Sequence, residues 1–163
     1  MIALDAVQLR TIAVDALRLL QVDDSVGVID VHDLSDGAWS VTFEDRWPET
    51  RFPTFAIEIQ QDWSRQGVAH ELRMVLREKL WICPLCQRRA VIRRVVDMNV
   101  FRIDCHRCGL FEIDNEVLEL FRSAYEAGEE RIVGALPRLS DVIRDATSAL
   151  SLTVDTWQGL AGD

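Results

Sequence analysis

Across the first twenty residues the apolar side chains fall at Leu9, Ile12, Ala13, Ala16, Leu17 and Leu20, the 3.6-residue period of a helix. Asp5, Gln8, Arg10, Thr11, Asp15 and Arg18 interrupt the apolar surface, so the pattern predicts a helix buried on most of its sides. After an acidic turn at Asp23-Asp24 the period changes to two. VGVIDVH (26–32), AWSVTFE (38–44) and TFAIEIQ (54–60) read as strands, with Trp39, Val41 and Phe43 on one face and Phe55, Ile57 and Ile59 on the matching face of the next. DLSDG (33–37) reads as the hairpin turn between the first two. Pro48 and Pro53 cannot donate to a ladder, which bends the loop 44–53 out of the sheet. A second helix is expected from Ser64 as N-cap to about Leu80, with Val68, Leu72, Val75 and Leu76 on one stripe. Residues 1–80 thus read α-β-β-β-α, three antiparallel strands with one face under two helices, and the chain as a whole as α+β.

From residue 114 the helical period returns. DNEVLELFRSAYEAG (114–128) predicts a helix started by Asp114 or Asn115, stopped by Gly128, and burying Val117, Leu118, Phe121 and Tyr125. EERIVGAL and, beyond Pro137, SDVIRDATSAL predict two short helices, the second capped by Ser140. SLTVDTWQGLAGD has no clear period; it reads as a tail in which Val154, Trp157 and Leu160 are available to dock on the body or on a partner. The expected organisation is an α+β domain over 1–80, a small metal-binding module over 81–114, a helical segment over 115–150 packed on it, and the tail over 151–163.

The 163 residues, 48% of them apolar, suffice for a core without covalent staples. No apolar run approaches a membrane span, and the opening MIALDAVQLR places acid before any basic residue, unlike a secretory signal. These features predict a soluble cytoplasmic protein with no membrane contact. Formal net charge is −9, unevenly spread: 8 basic and 14 acidic side chains over residues 1–80, 6 and 2 over 81–111, and 4 and 11 over 112–163. The single basic island coincides with all four cysteines.

Those cysteines stand as Cys83-Pro-Leu-Cys86 and Cys105-His-Arg-Cys108, a C-x2-C-x18-C-x2-C spacing that fits a tetrahedral zinc site. A CxxC turn aims two sulfurs at one point, and a hairpin between the pairs brings the second turn opposite the first. The segment between them supplies that hairpin: a β-branched run at 91–96, a turn near Asp97-Met98-Asn99, and a return strand Val100-Phe101-Arg102-Ile103. Gly109 suits a backbone that turns tightly about a metal. A structural site with four thiolates is the leading reading, since it leaves no position for water or substrate. A thioredoxin-like redox pair and an iron–sulfur cluster are the alternatives, the first lacking its βαβ setting. The same residues resemble the zinc ribbon family, in which two CPxC or CxxCG knuckles clamp one zinc ion beneath a hairpin or three-stranded sheet. The resemblance rests on Cys83-Pro84-Leu85-Cys86, on Cys105-His106-Arg107-Cys108-Gly109, and on Leu110-Phe111-Glu112-Ile113 as third strand. It implies Cys83, Cys86, Cys105 and Cys108 as ligands of one structural Zn2+. With the following helix and the later Leu139-Ser140-x-x-Ile143-Arg144, the segment also looks like ribbons in small bacterial proteins, some linked to phage defence. The resemblance does not extend to residues 1–80.

His106, inside a knuckle that already has its two thiols, reads as a solvent-facing residue. AHELR (69–73) has Met74 where a zinc protease motif needs its second histidine, and His32 reads as surface. Arg88, Arg89, Arg93, Arg94, Arg102 and Arg107 surround the cysteines and are candidates for contact with nucleic-acid phosphates or with a protein partner. Four thiolates around Zn2+ carry −2, which halves the segment's +4. Of the tryptophans, Trp81 is expected to pack the ribbon against the N-terminal unit, and Trp47 and Trp63 to cap the sheet or serve as loop anchors. No nucleophile with a base, open metal site or phosphate-cradling loop is visible. The sequence therefore reads first as a non-enzymatic zinc-binding adaptor acting on another protein, with nucleic-acid recognition through the arginines and a hydrolase using unmarked carboxylates as alternatives.

Overall fold

The computed structural model describes residues 4–22, 24–34, 36–95 and 98–162, and the chain divides into two compact units, Met1–Leu80 and Trp81–Asp163. The expected turns at Asp23, Ser35 and Asp97, and the end of the β-branched run at Val96, lie outside the described residues.

In the first unit, helix α1 (Ala6–Leu19) opens on a capping box. The Asp5 carboxylate accepts from the Gln8 N–H at 2.8 Å, and the Gln8 side chain accepts from the Asp5 N–H at 3.0 Å. Two donors at the exposed helix end are thereby satisfied. Asp5 and Gln8, which read as polar interruptions, are the residues that start the helix. All six predicted apolar positions of this helix are buried.

Strands β1 (Val26–Leu34), β2 (Ala38–Asp45) and β3 (Thr54–Gln60) form an antiparallel sheet in that order. The register sets Trp39 against Ile59, Val41 against Ile57 and Phe43 against Phe55, so the two predicted apolar rows share one face. Phe43 and Phe55 stack with ring centroids 5.3 Å apart. A register shift between Val28 and Asp30 leaves Ile29 as the extra residue of a bulge, and the Arg10 guanidinium donates to its carbonyl at 3.1 Å. Helix α2 (Arg65–Lys79) starts at Ser64, whose hydroxyl accepts from the Gly67 N–H at 3.1 Å. Its Val68, Leu72 and Leu76 are buried and Val75 is half-buried. Helix α1 lies against β1 and β2, and α2 against β3 and α1, which gives the two-layer α+β arrangement.

The second unit is built on strands β4 (Val91–Arg94), β5 (Val100–Cys105) and β6 (Gly109–Asp114), an antiparallel meander. Helix α3 (Asn115–Ala127) follows from Asp114 and ends at Gly128, whose φ of 68° is the left-handed cap that glycine favours. Helix α4 (Glu130–Asp145) is continuous through Pro137, where two short helices were expected, and Ser140 lies inside it rather than at its cap. The apolar stripe Ala135, Leu136, Leu139 and Ile143 runs unbroken into the core, while Pro137 is exposed. The Val133 carbonyl that Pro137 fails to bond lies one turn back on that same outer side, so burial of the opposite face outweighs the local cost. Residues without a clear period form a fourth strand and a last helical turn: β7 (Leu150–Leu152) pairs in parallel with β6, and α5 (Trp157–Ala161) follows. Leu152 is buried, and Trp157 meets Phe121 edge to face at 5.2 Å. Ile103, Phe111, Ile113, Val117, Phe121 and Leu139 are among the buried side chains of one core between this sheet and the helices. Among the described residues, no helix is long and apolar enough to cross a membrane.

Candidate metal centre

Each cysteine pair sits in a tight turn, and the two turns are made differently. In the first, an isolated bridge joins Ile82 and Arg89, the Cys83 N–H donates to the Arg88 carbonyl at 2.7 Å, and the Ala90 N–H donates to the Trp81 carbonyl at 2.9 Å. The chain reverses at Gln87, which has a φ of 59° despite carrying a side chain. A left-handed residue other than glycine costs of order 1–3 kcal/mol unless its surroundings hold it. Here the Gln87 side-chain amide donates to the carbonyls of Cys83 and Pro84 at 3.1 and 3.3 Å, so the strained residue ties down the turn it closes. The second turn is the β5–β6 hairpin itself, with Cys105 paired to Gly109, and glycine takes the corresponding conformation at a φ of 88°.

The four sulfurs converge, all within 4.8 Å of one another. Two of the separations cross between the turns: Cys83 Sγ to Cys108 Sγ is 3.8 Å and Cys86 Sγ to Cys105 Sγ is 3.5 Å. All four cysteines are free, and these separations far exceed a disulfide bond of about 2.05 Å. Cys83, Cys105 and Cys108 are buried and Cys86 is half-buried. Tetrahedral edges of 3.5–4.8 Å put the centre about 2.1–2.9 Å from each corner, a range that includes the metal–thiolate bond of about 2.3 Å. The cluster can therefore hold a metal ion. Among the described residues it is the single group of three or more metal-capable side chains.

Two helices hold the two turns. The Tyr125 hydroxyl of α3 donates to the Leu85 carbonyl at 3.2 Å, fixing the first, and the buried Ser140 hydroxyl of α4 lies 3.0 Å from Cys108 Sγ in the second. Sequence reasoning missed both. Tyr125 read only as an apolar contact, although a tyrosine hydroxyl near a core needs a partner. Ser140 was masked by Pro137, and its signal was the place it takes between Leu139 and Ile143 on the buried stripe.

Crowding of four sulfurs divides their protonation. Cys105 is held well below the usual thiol range by hydrogen bonds from Cys108, Cys83 and Cys86. At Cys86 an upward push from Cys105 is outweighed by hydrogen bonds from Cys108 and Cys83, bringing it down to about 7. Cys83 is raised by its hydrogen bonds to Cys105, Cys108 and Cys86 and by burial. Cys108 is raised chiefly by its bond to Cys105, with Ser140 opposing. Two thiols thus donate to two thiolates, because four negative sulfurs this close need a cation among them.

The other candidate residues lie on the turns and strands around this centre. His106 is exposed. Arg88 and Arg107 are exposed on the first and second turns. On the solvent face of the sheet the register places Arg93, Arg102 and Glu112 in one row, and the Arg102 guanidinium donates to Glu112 at 2.7 Å. Asp104 and the exposed Leu110 share the adjoining row with Val91. Arg94 follows the alternate parity, in line with Phe101 and Ile113, and Arg89 is half-buried. On the solvent face the register sets Glu112 and Asp104 beside Arg93 and Arg102 of the basic island. Trp81 is half-buried against the core of the second unit, with a φ of 52°.

No protein-family model matches this chain, and neither a curated protein nor a solved structure shows significant similarity to it.

Proposed function

We propose that Cys83, Cys86, Cys105 and Cys108 bind one zinc ion as a structural centre, and that the chain works as a non-enzymatic adaptor that recognises another protein. The observation that carries the reading is the convergence of four sulfurs, three of them buried, on one point. Thiolates at tetrahedral spacing suit zinc, and four of them fill its coordination sphere, so the ion's role is to hold the turns and the helices behind them. Such a centre stabilises a surface and offers no reactive position. For the partner, the solvent face of the sheet combines Arg93, the Arg102–Glu112 pair, Asp104 and Leu110, a mixture of charge and apolar area that suits a protein surface better than a phosphate backbone.

The test is made on the purified full chain. Metal analysis should give about one zinc per chain, and a cobalt-substituted sample should show thiolate-to-metal charge-transfer bands that do not respond to added azide or cyanide. Bands that shift with those anions would reveal an open position and return the reading to catalysis. Binding to labelled DNA or RNA that weakens steeply with salt and is lost when Arg88, Arg93, Arg94 and Arg107 become Ala would replace the protein partner with nucleic acid.

A further inference from the structure

The short helix α5 does more than cover the core. It packs against α4, and the two leave a cleft of about 340 Å³ lined by Arg131, Ala135, Arg138, Trp157, Gln158 and Ala161. That volume lies at the lower end of small-molecule sites. Gly162 completes one rim.

The lining is chemically one-sided. Arg131 and Arg138 are seven residues apart, two turns on the same side of α4, about 10 Å along its axis. Ala135 stands between them with no side chain long enough to fill the gap. Among the described residues no carboxylate lines the cleft, although the chain as a whole has 27 acidic and 18 basic side chains. The third arginine of the same helix shows the contrast: Arg144 is held by Asp141 at 3.0 Å and by Asp145 at 3.3 Å. Neither Arg131 nor Arg138 has an ion pair among the described residues. Each guanidinium presents a planar fork of donors, the geometry that takes two oxygens of a phosphate at once. The Gln158 carboxamide adds a further donor, and the buried edge of Trp157 forms an apolar wall.

We infer that the α4–α5 cleft is a binding site for a small phosphate-bearing anion, clamped between Arg131 and Arg138. The site is independent of the cysteine cluster and of the adaptor reading, since none of its residues contributes a sulfur or belongs to the arginine group around the knuckles.

The experiment is calorimetric titration of the full, metal-loaded chain with inorganic pyrophosphate, with citrate as the carboxylate control. Three proteins are compared: wild type, the double variant Arg131→Gln/Arg138→Gln, and Arg88→Gln/Arg107→Gln, each checked for unchanged circular dichroism and metal content. The expected result is saturable binding of pyrophosphate to wild type, unchanged in the knuckle variant and weakened about tenfold or more in the cleft variant. Absence of binding to wild type at millimolar pyrophosphate overturns the site. Binding that survives in the cleft variant, or that is lost in the knuckle variant, places the anion elsewhere and overturns it too. Tighter binding of citrate than of pyrophosphate rejects the phosphate assignment.

Discussion

The Ser140 hydroxyl stands 3.0 Å from Cys108 Sγ, joining the middle of α4 to a cysteine 32 residues earlier. Both residues are buried, so water cannot replace this contact. A hydroxyl donating to a metal thiolate satisfies a sulfur lone pair and orients the ligand, and loss of such an outer partner typically weakens metal binding by about 10–100-fold. Ser140→Ala should retain the fold and give up its metal to a competing chelator at correspondingly lower concentration. An unchanged chelator titration would show that the hydroxyl is only a packed neighbour.

Removing the metal should act on one unit. The turns, the sheet β4–β7 and helices α3 to α5 belong to the second unit, whereas the first has its own core around Val41, Phe43, Ile57 and Leu72. Chelation, or Cys105→Ser, should raise amide hydrogen exchange across residues 81–162 and leave α1, α2 and the first sheet protected. Exchange that rises equally in both units would show that the first unit depends on the centre.

Metal uptake should release protons in a number that depends on pH. In the metal-free chain Cys105 and Cys86 are the lowered thiols, the latter at about 7, while Cys83 and Cys108 are raised. Near pH 8, above the Cys86 value, roughly two protons should leave as zinc binds; below pH 7, where Cys86 is also protonated, the number should approach roughly three. The sign for stability follows from the same shifts. A lowered thiol such as Cys86 contributes to metal-free stability above its ordinary value of 9.0, and that contribution is lost as pH falls through about 7. The raised thiols work oppositely, contributing below 9.0 and withdrawing that contribution as pH rises through their higher values. Calorimetry of zinc binding in buffers of different ionisation enthalpy counts the protons directly. A proton count that does not change between pH 6.5 and 8 would contradict the division of charge among the sulfurs.

Pro137→Ala should stabilise the second unit. The proline is exposed within α4, and replacing it restores an N–H to the Val133 carbonyl without touching the buried stripe. An interior proline disfavours a helix by about 3 kcal/mol relative to alanine, and a gain of roughly 1–3 kcal/mol is expected in denaturant unfolding. A loss of stability would mean that the proline ring makes a contact that the helix needs.

Much of this architecture is legible where side-chain period and local chemistry agree. The three strands of the first sheet were readable because Trp39, Val41 and Phe43 alternate with polar neighbours and pair in register with Ile59, Ile57 and Phe55. Ser64 was readable because capping is decided within four residues. The closeness of the four cysteines followed from paired spacings across a β-branched hairpin. What escaped depends on distant partners. Strand β7 is three residues long and exists through parallel pairing with β6, a relation with no local pattern. The pairing of Arg102 with Glu112, which lies outside the counted segment, comes only with strand register. Pro137 misled for the same reason: its helix is held by the core rather than by its own propensity.

The parallel strand β7 also sets a clock. The first cysteine turn leaves the ribosome long before Leu152 and Trp157, and at about 5–20 residues per second the stretch between Cys83 and Trp157 takes roughly 4–15 s to synthesise. From Cys108 onward all four thiols are made, but the core they share with Leu152 and Trp157 is still incomplete. Early metal capture would protect nascent chains from oxidation, so the yield of intact protein should depend on the zinc supply during translation more than on zinc added afterwards.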